Sequence, residues 1–335
     1  MKICVIGCGN HASAMHGPCY LQYAERNPKV QLCACCDVNA DAASNFARQY
    51  GFERTYSDYR QMLEQESPDA VGIVLPVERM QEVAEQVLLG GFSCIIEKPP
   101  APDGEGVERL AAAAGQSGSQ LRVGFNRRFM PVILALREQL MERAEPIRHI
   151  HYEMHRVGRV NEDFSTTAIH GIDLVGFLGD GYQSARITYQ DVGTPGQAST
   201  NFLMDCVMSG GVTARLSFLP VVGRNTETVA VHTDSHTYIA ELPLNVHAFA
   251  GCLLVYAADR LVQKIMGEGT APYETCGFYH EIATFLDELR TTGVNTQGCI
   301  ETTRQSVEIA HMLRNREPSC WFSGLLRRSA SRNDR

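Results

Sequence analysis

The chain opens with a short apolar run, Ile3, Val5 and Ile6 within MKICVIGCGNHA, that breaks off at Gly7, Gly9 and Ala12 in the spacing G-x-G-x-x-A. This is the pattern of a buried parallel strand that turns sharply into a helix and leaves backbone N–H groups free to hold a phosphate. Gly7 permits the tight turn, Gly9 lets a pyrophosphate approach the backbone, and Ala12 lets the helix pack closely on the sheet. Asn10 and His11 complete the loop. The ligand predicted here is a dinucleotide.

Glycines at this spacing gain meaning from what surrounds them: a strand before, a helix after and an acidic residue closing the next strand. Residues 12–26 can be helical, and a second apolar run, VQLCACC over 30–36, ends in Asp37. A carboxylate there accepts hydrogen bonds from the adenosine ribose and repels a 2′-phosphate. Val38, Asn39 and Ala40 follow without an arginine, so NAD is expected rather than NADP. The alternative is that Asp37 merely ends a strand.

With 335 residues the chain has room for two cores. A net charge of −8, with no basic cluster before the extreme C-terminus, argues against a nucleic-acid footprint. Its apolar runs fall short of the ~20 residues of a membrane span, and the start has neither the charge nor the apolar stretch of a secretory leader. The cysteines sit mainly in apolar runs, where free thiols behave as small hydrophobes, and a reduced cytoplasm is expected. Cys33 and Cys36 have C-x-x-C spacing, but positions three apart on a regular strand point to opposite faces, so they are expected in the core and no metal site is predicted.

After Asp37, helices over 41–50, 57–65, 78–89 and 104–114 alternate with strands over 70–75, 93–96 and 121–125. This alternation predicts a parallel sheet with helices on both faces. Ligands lie at the carboxyl ends of such strands, so Gly7, Asp37, Leu75, Pro76, Glu97 and Lys98 should face one crevice. Past Asn126 come helices over 128–142 and 166–178, a strand over 147–157 and then successive strands over 185–189, 201–208, 211–219, 227–233 and 236–242, closed by helices over 279–290 and 300–313. The expected fold is α/β: an N-terminal Rossmann domain over 1–125 and a C-terminal α/β domain over 126–322 with a large, mostly antiparallel open sheet. A polar, arginine-rich tail over 323–335 is expected to be disordered.

Two side chains could do chemistry. Lys98, between Glu97 and two prolines, sits at the edge that carries the glycine loop; desolvated beside a nicotinamide it would exchange a proton with a substrate oxygen, while taken alone a surface lysine is the plainer reading. His170 shares a helix face with Thr166 and Asp173, which could bind substrate and hold the imidazole tautomer. A histidine packed under the sheet fits that spacing equally well.

The chain resembles the Gfo/Idh/MocA family of oxidoreductases in the GCGNHA loop, His16, VLP at 74–76, EKP at 97–99, FNRRFMP at 125–131, HGID at 170–173 and the late YHEIATFLDEL helix. The resemblance implies a nicotinamide-dependent enzyme that transfers a hydride between NAD and a secondary alcohol or ketone of a sugar, sugar derivative or cyclitol, working as a homodimer or homotetramer. It gives Lys98 and His170 catalytic positions, Arg127 and His155 substrate contacts, and Pro99 a place where a cis peptide is common. Thr166 replaces an Asp of inositol-dehydrogenase-like members, Met80 a frequent histidine and Phe278 a frequent tyrosine. Two other functions remain compatible with the sequence, a redox-neutral lyase or glycosidase that recycles NAD and a non-catalytic NAD(H)-binding regulator.

Overall fold

The structure is a computed structural model that describes residues 1–160, 163–194, 196–244, 249–291 and 297–322. The expected tail over 323–335 lies outside the described residues. Six strands, β1 (Lys2–Ile6), β2 (Gln31–Cys36), β3 (Arg54–Tyr56), β4 (Ala70–Ile73), β5 (Cys94–Glu97) and β6 (Leu121–Gly124), form a parallel sheet in the order β3-β2-β1-β4-β5-β6. Ile6 pairs with both Cys36 and Ile73, so Gly7, Asp37 and Val74 leave the sheet at one level, beside the switch point between β1 and β4. Apart from the edge strand β3, the strands are almost wholly buried because helices cover both faces, which explains their unbroken apolar runs.

Local signals place these helices. Asn39 accepts from the N–H groups of Asp41 and Ala42 at 3.0 and 3.3 Å, Asp58 from that of Arg60 at 2.8 Å, and Asp103 from that of Gly106 at 2.9 Å. Caps of this kind are worth about 1 kcal/mol each. The strand β3 was not expected from the sequence: RTY is three residues long and at least half exposed, too short for periodicity to register.

The C-x-x-C spacing holds a correction. Ile3 pairs with Leu32 but Cys4 pairs with Ala34, so Cys33 is bulged out of register. The bulge resets the alternation and puts Cys33 and Cys36 in the same core layer rather than on opposite faces. Both are buried free thiols, as are Cys4, Cys8, Cys19, Cys35, Cys94, Cys206, Cys252 and Cys276, while Cys320 is partly exposed.

The second sheet has nine strands: β7 (His149–His155), β8 (Tyr182–Thr194), β9 (Gln197–Met208), β10 (Thr213–Leu219), β11 (Thr226–His232), β12 (His236–Glu241), β13 (Cys252–Ala257), β14 (Arg260–Met266) and β15 (Ser319–Trp321). Their order is β14-β13-β12-β11-β7-β10-β9-β8-β15, and only β7 and β10 pair in parallel. The last three strands were missed. CLLVYA does not alternate, β14 is a mostly exposed edge, and β15 has three residues.

One face of this sheet is covered and the other open. Along β7, Ile150, Tyr152 and Met154 are fully buried, while His149, His151, Glu153 and His155 are half-buried on the opposite face. The helices Pro131–Arg143 and Ser165–Leu178 pack on the covered face. Gly171 is the contact point of the second helix, since a Cβ there would overlap the ring of Tyr152. His170 is thereby held at the sheet. No described helix is long and apolar enough to cross a membrane.

Candidate active site

The glycine loop has the geometry that a dinucleotide needs. Gly7 has φ +93°, and a Cβ there would overlap the carbonyl oxygen of Val74, so only glycine fits. At Gly9 a Cβ would meet nothing within 4 Å, which leaves open ground above the backbone for a pyrophosphate. Asn10 and His11 are exposed at the same lip, and Ala12 is fully buried against the sheet. Asp37 accepts from the N–H of Cys8 at 2.8 Å and of Asn39 at 2.9 Å, which fixes its carboxylate beside the loop. Leu75 and Pro76 follow β4 on the same side, with the Leu75 side chain 3.2 Å from the position a Gly7 Cβ would take. The residues present fit a nicotinamide dinucleotide.

The loop runs into a π-helical turn, Ala12–His16, before the α-helix Gly17–Arg26. In a π-turn, residues five apart stack, whereas in an α-helix they diverge. His11 and His16 therefore meet the same oxygen, Oε1 of Glu97, at 3.2 and 2.8 Å. Phe278 lies edge-on to both rings, with centroids 5.7 and 5.6 Å away. Burial alone would raise the Glu97 pKa, but the two histidine hydrogen bonds outweigh it and hold the carboxyl well below its ordinary value. One donor atom from each of His11, His16 and Glu97 falls within 4.8 Å of the others, a donor set able to hold a metal ion. Residues this far apart in sequence gave no such signal.

Glu97 also accepts from the backbone N–H of Lys98 at 3.1 Å, and the Lys98–Pro99 peptide is cis. Lys98 projects into a cleft of 490 Å³ whose walls include His11, Glu97, Asn126, Arg127, Arg156, Arg159, Thr167, His170 and Phe278. Its Nζ donates to the carbonyl oxygen of Thr166 at 3.4 Å. Burial lowers the Lys98 pKa; Glu97 opposes this and Arg127 adds to it. His170 is pushed far below its ordinary value by burial, then by Arg127, Lys98 and Arg156, so it is neutral near pH 7. Its Nδ1 is buried without a hydrogen-bond partner among the described residues.

Arg127 is tied to Glu227: both oxygens of that carboxylate accept from it, one from Nη2 at 3.0 Å. Glu227 also accepts from Arg156 and, at 2.7 Å, from Tyr152. Burial opposes its charge, but the two guanidiniums bring its pKa down to about 2.

Three sequence expectations require correction. Asp173 does not hold the His170 imidazole and does not face the cleft: it is 1 % exposed and forms a two-pronged pair with Arg128, with Nε at 2.7 Å. A spacing of three put it on the helix side turned into the core. The Thr166 hydroxyl donates to the Asp163 carbonyl at 3.0 Å and lines a separate depression with Glu78 and Glu82; its neighbour Thr167 faces the cleft. His155 lies on the open side of β7, 3.4 Å from the Ser217 hydroxyl, away from the cleft. The alternation of Ile150, Tyr152 and Met154 was the signal that the histidines of this strand point the other way. Arg156, one residue on, takes the place in the cleft. Met80 is core, 1 % exposed.

The glycine loop, Asp37 and Lys98 thus lie at one edge of the parallel sheet, where a dinucleotide would bind. Residues 1–125 match the Gfo/Idh/MocA oxidoreductase family, NAD-binding Rossmann fold. It is 30 % identical over 169 residues to an inositol 2-dehydrogenase of Paracoccus denitrificans (strain Pd 1222), a match that covers 48 % of this chain and 50 % of the relative. The chain thus matches about half the length of that curated relative. Its fold is that of a Gfo/Idh/MocA oxidoreductase from Vibrio cholerae (TM-score 0.78, 22 % identity, 94 % of this chain and 97 % of the other). It is also that of levoglucosan dehydrogenase solved with NADH and L-sorbose (TM-score 0.77, 17 % identity, 96 % and 98 %).

Proposed function

We propose that the protein is an NAD-dependent dehydrogenase acting on a secondary alcohol, or the matching ketone, of a sugar, sugar derivative or cyclitol. The observation that carries this reading is Lys98: a half-buried amine with a lowered pKa, in a cleft beside the glycine loop and the neutral His170. The inositol and levoglucosan dehydrogenases among the relatives support the substrate class. Bound NAD supplies the hydride acceptor.

Gly7, Gly9, Asn10, His11 and Ala12 would hold its pyrophosphate, Asp37 its adenosine ribose, and Leu75, Pro76 and Glu97 would border the nicotinamide half. Asp37 favours NAD over NADP because a carboxylate beside a 2′-phosphate is repulsive. Neutral Lys98 accepts the carbinol proton as the alcohol is oxidised, and returns it when a ketone is reduced. His170, uncharged, hydrogen-bonds the same hydroxyl and keeps it pointed at Lys98. Arg127 and Thr167 orient the remaining hydroxyls.

Residues 1–125 form the cofactor domain in this reading, and 126–322 the substrate and oligomerisation domain. The open sheet face, with Trp321 79 % exposed beside Leu203 and Val207, suits pairing with a second copy. Free buried thiols fit a reducing compartment such as the cytoplasm. The test is absorbance of reduced nicotinamide on mixing the protein with NAD or NADP and a panel of sugars, sugar acids and cyclitols. Signal growth with NAD and one class of polyol is expected; binding of NAD with no conversion of any polyol overturns the reading.

A further inference from the structure

Two arginines under the cleft share one carboxylate. Arg127 and Arg156 are each only 11 % exposed in their side chains, and both bind the one carboxylate of Glu227, itself 1 % exposed. The third partner of Glu227, Tyr152, is neutral, and burial holds its phenol far above the usual range. Two guanidiniums therefore share one anion. Arg156 spends its Nη1 on the carbonyl oxygens of His155 and Thr226, both at 3.0 Å, and its Nη2 on Glu227. Arg127 gives Nε and Nη2 to Glu227 and leaves Nη1 without a protein partner among the described residues.

Within the same walls, Glu97 does not bind either guanidinium: its Oε1 is taken by His11 and His16 and its Oε2 by the Lys98 backbone, so its charge stands nearest Lys98. Buried charge is costly unless paired, and a guanidinium with an open N–H edge matches a planar oxyanion. From this two-to-one pairing we infer that the substrate carries a carboxylate, as a hexuronate or aldonate does, seated on the open Nη1 of Arg127 in the positive field to which Arg156 adds, while its carbinol faces Lys98. The downward push on both Lys98 and His170 from Arg127 expresses the same local field, which an anionic substrate would relieve. This inference rests on the dehydrogenase reading only for the identification of the cleft as the substrate site.

The test compares, in the wild-type protein with NAD, hexuronates and aldonates against their parent hexoses, glucuronamide and hexose phosphates. A sugar acid is expected to exceed its neutral counterparts in kcat/KM by about ten- to a hundredfold, the worth of a hydrogen bond to a charged group. Arg156→Gln should raise KM for the acid about tenfold more than KM for neutral sugars, with Arg156→Lys recovering part of the difference. Equal or better use of neutral sugars, preference for the phosphates, or an equal effect of Arg156→Gln on acid and neutral sugars overturns the inference. If Arg156→Gln does not fold, the acid against amide comparison in the wild type decides alone. Thermal melting separates the two readings: stabilisation by a sugar acid but not its amide, without turnover, retains the anion site and removes the dehydrogenase. No turnover and no such stabilisation removes both.

Discussion

The Nζ of Lys98, at the carboxyl end of the parallel sheet, lies 3.4 Å from the carbonyl oxygen of Thr166 in the helix that also carries His170. This bond spans the cleft and points the amine at the space where a substrate must lie. It leaves the nitrogen's other positions for a reacting hydroxyl. Burial, strengthened by Arg127, lowers the Lys98 pKa. Alcohol oxidation needs the neutral amine, so its rate should rise with pH to a plateau whose midpoint lies below the ordinary lysine value of about 10.4. Ketone reduction needs the ammonium and should fall over the same range. Initial rates in both directions between pH 6 and about 10.5 check this.

Asp37 is fixed beside the glycine loop by two backbone N–H groups. Asp37→Ala removes the charge that opposes a 2′-phosphate. The NADP to NAD ratio of kcat/KM should rise by about tenfold or more, chiefly through KM. An unchanged ratio would assign Asp37 to loop support alone.

Asp173 and Arg128 form a buried pair, so removing the aspartate takes from the guanidinium its carboxylate. Asp173→Ala should destabilise the fold by about 3–5 kcal/mol, read by denaturant unfolding. A folded fraction that retained stability but lost turnover would restore Asp173 to the active site.

Glu227 titrates at about 2 in the folded chain, against about 4.3 for a free glutamate. A depressed acid stabilises the fold fully above its unfolded pKa, and this contribution fades as pH falls from there toward 2. It is on the order of 3 kcal/mol, and Glu227→Gln should abolish that part of the pH dependence of unfolding.

Trp321 is 79 % exposed at the open sheet face. Trp321→Glu should shift the protein toward monomer in light scattering while leaving NAD binding intact. An unchanged mass would place any interface elsewhere.

What the sequence revealed followed the physics of each region. The parallel sheet was legible because strands buried on both faces read as unbroken apolar runs, and Gly7, Asp37 and Lys98 all fall at their carboxyl ends. The second sheet was legible only where alternation was clean, so β13 and β14 were missed. Spacing grouped His170 with Asp173 on one helix face but could not say that Asp173 turns inward to Arg128, because that partner lies 45 residues away. His155 was misplaced although the pleat of its own strand told against it. The bulge at Cys33 and the π-turn that joins His11 to His16 depend on backbone irregularities that periodicity assumes away. Glu227, the hub of the cationic pair, stood in the sequence as an ordinary strand residue.

The central claim is that Lys98 exchanges the substrate proton without contributing to cofactor affinity. The direct measurement is kcat of Lys98→Ala together with its Kd for NAD by fluorescence titration. The account predicts a loss in kcat of about 10²–10⁴-fold with Kd within about threefold of wild type. Wild-type turnover in that variant, or a loss of activity matched by an equal loss of NAD affinity, would contradict it.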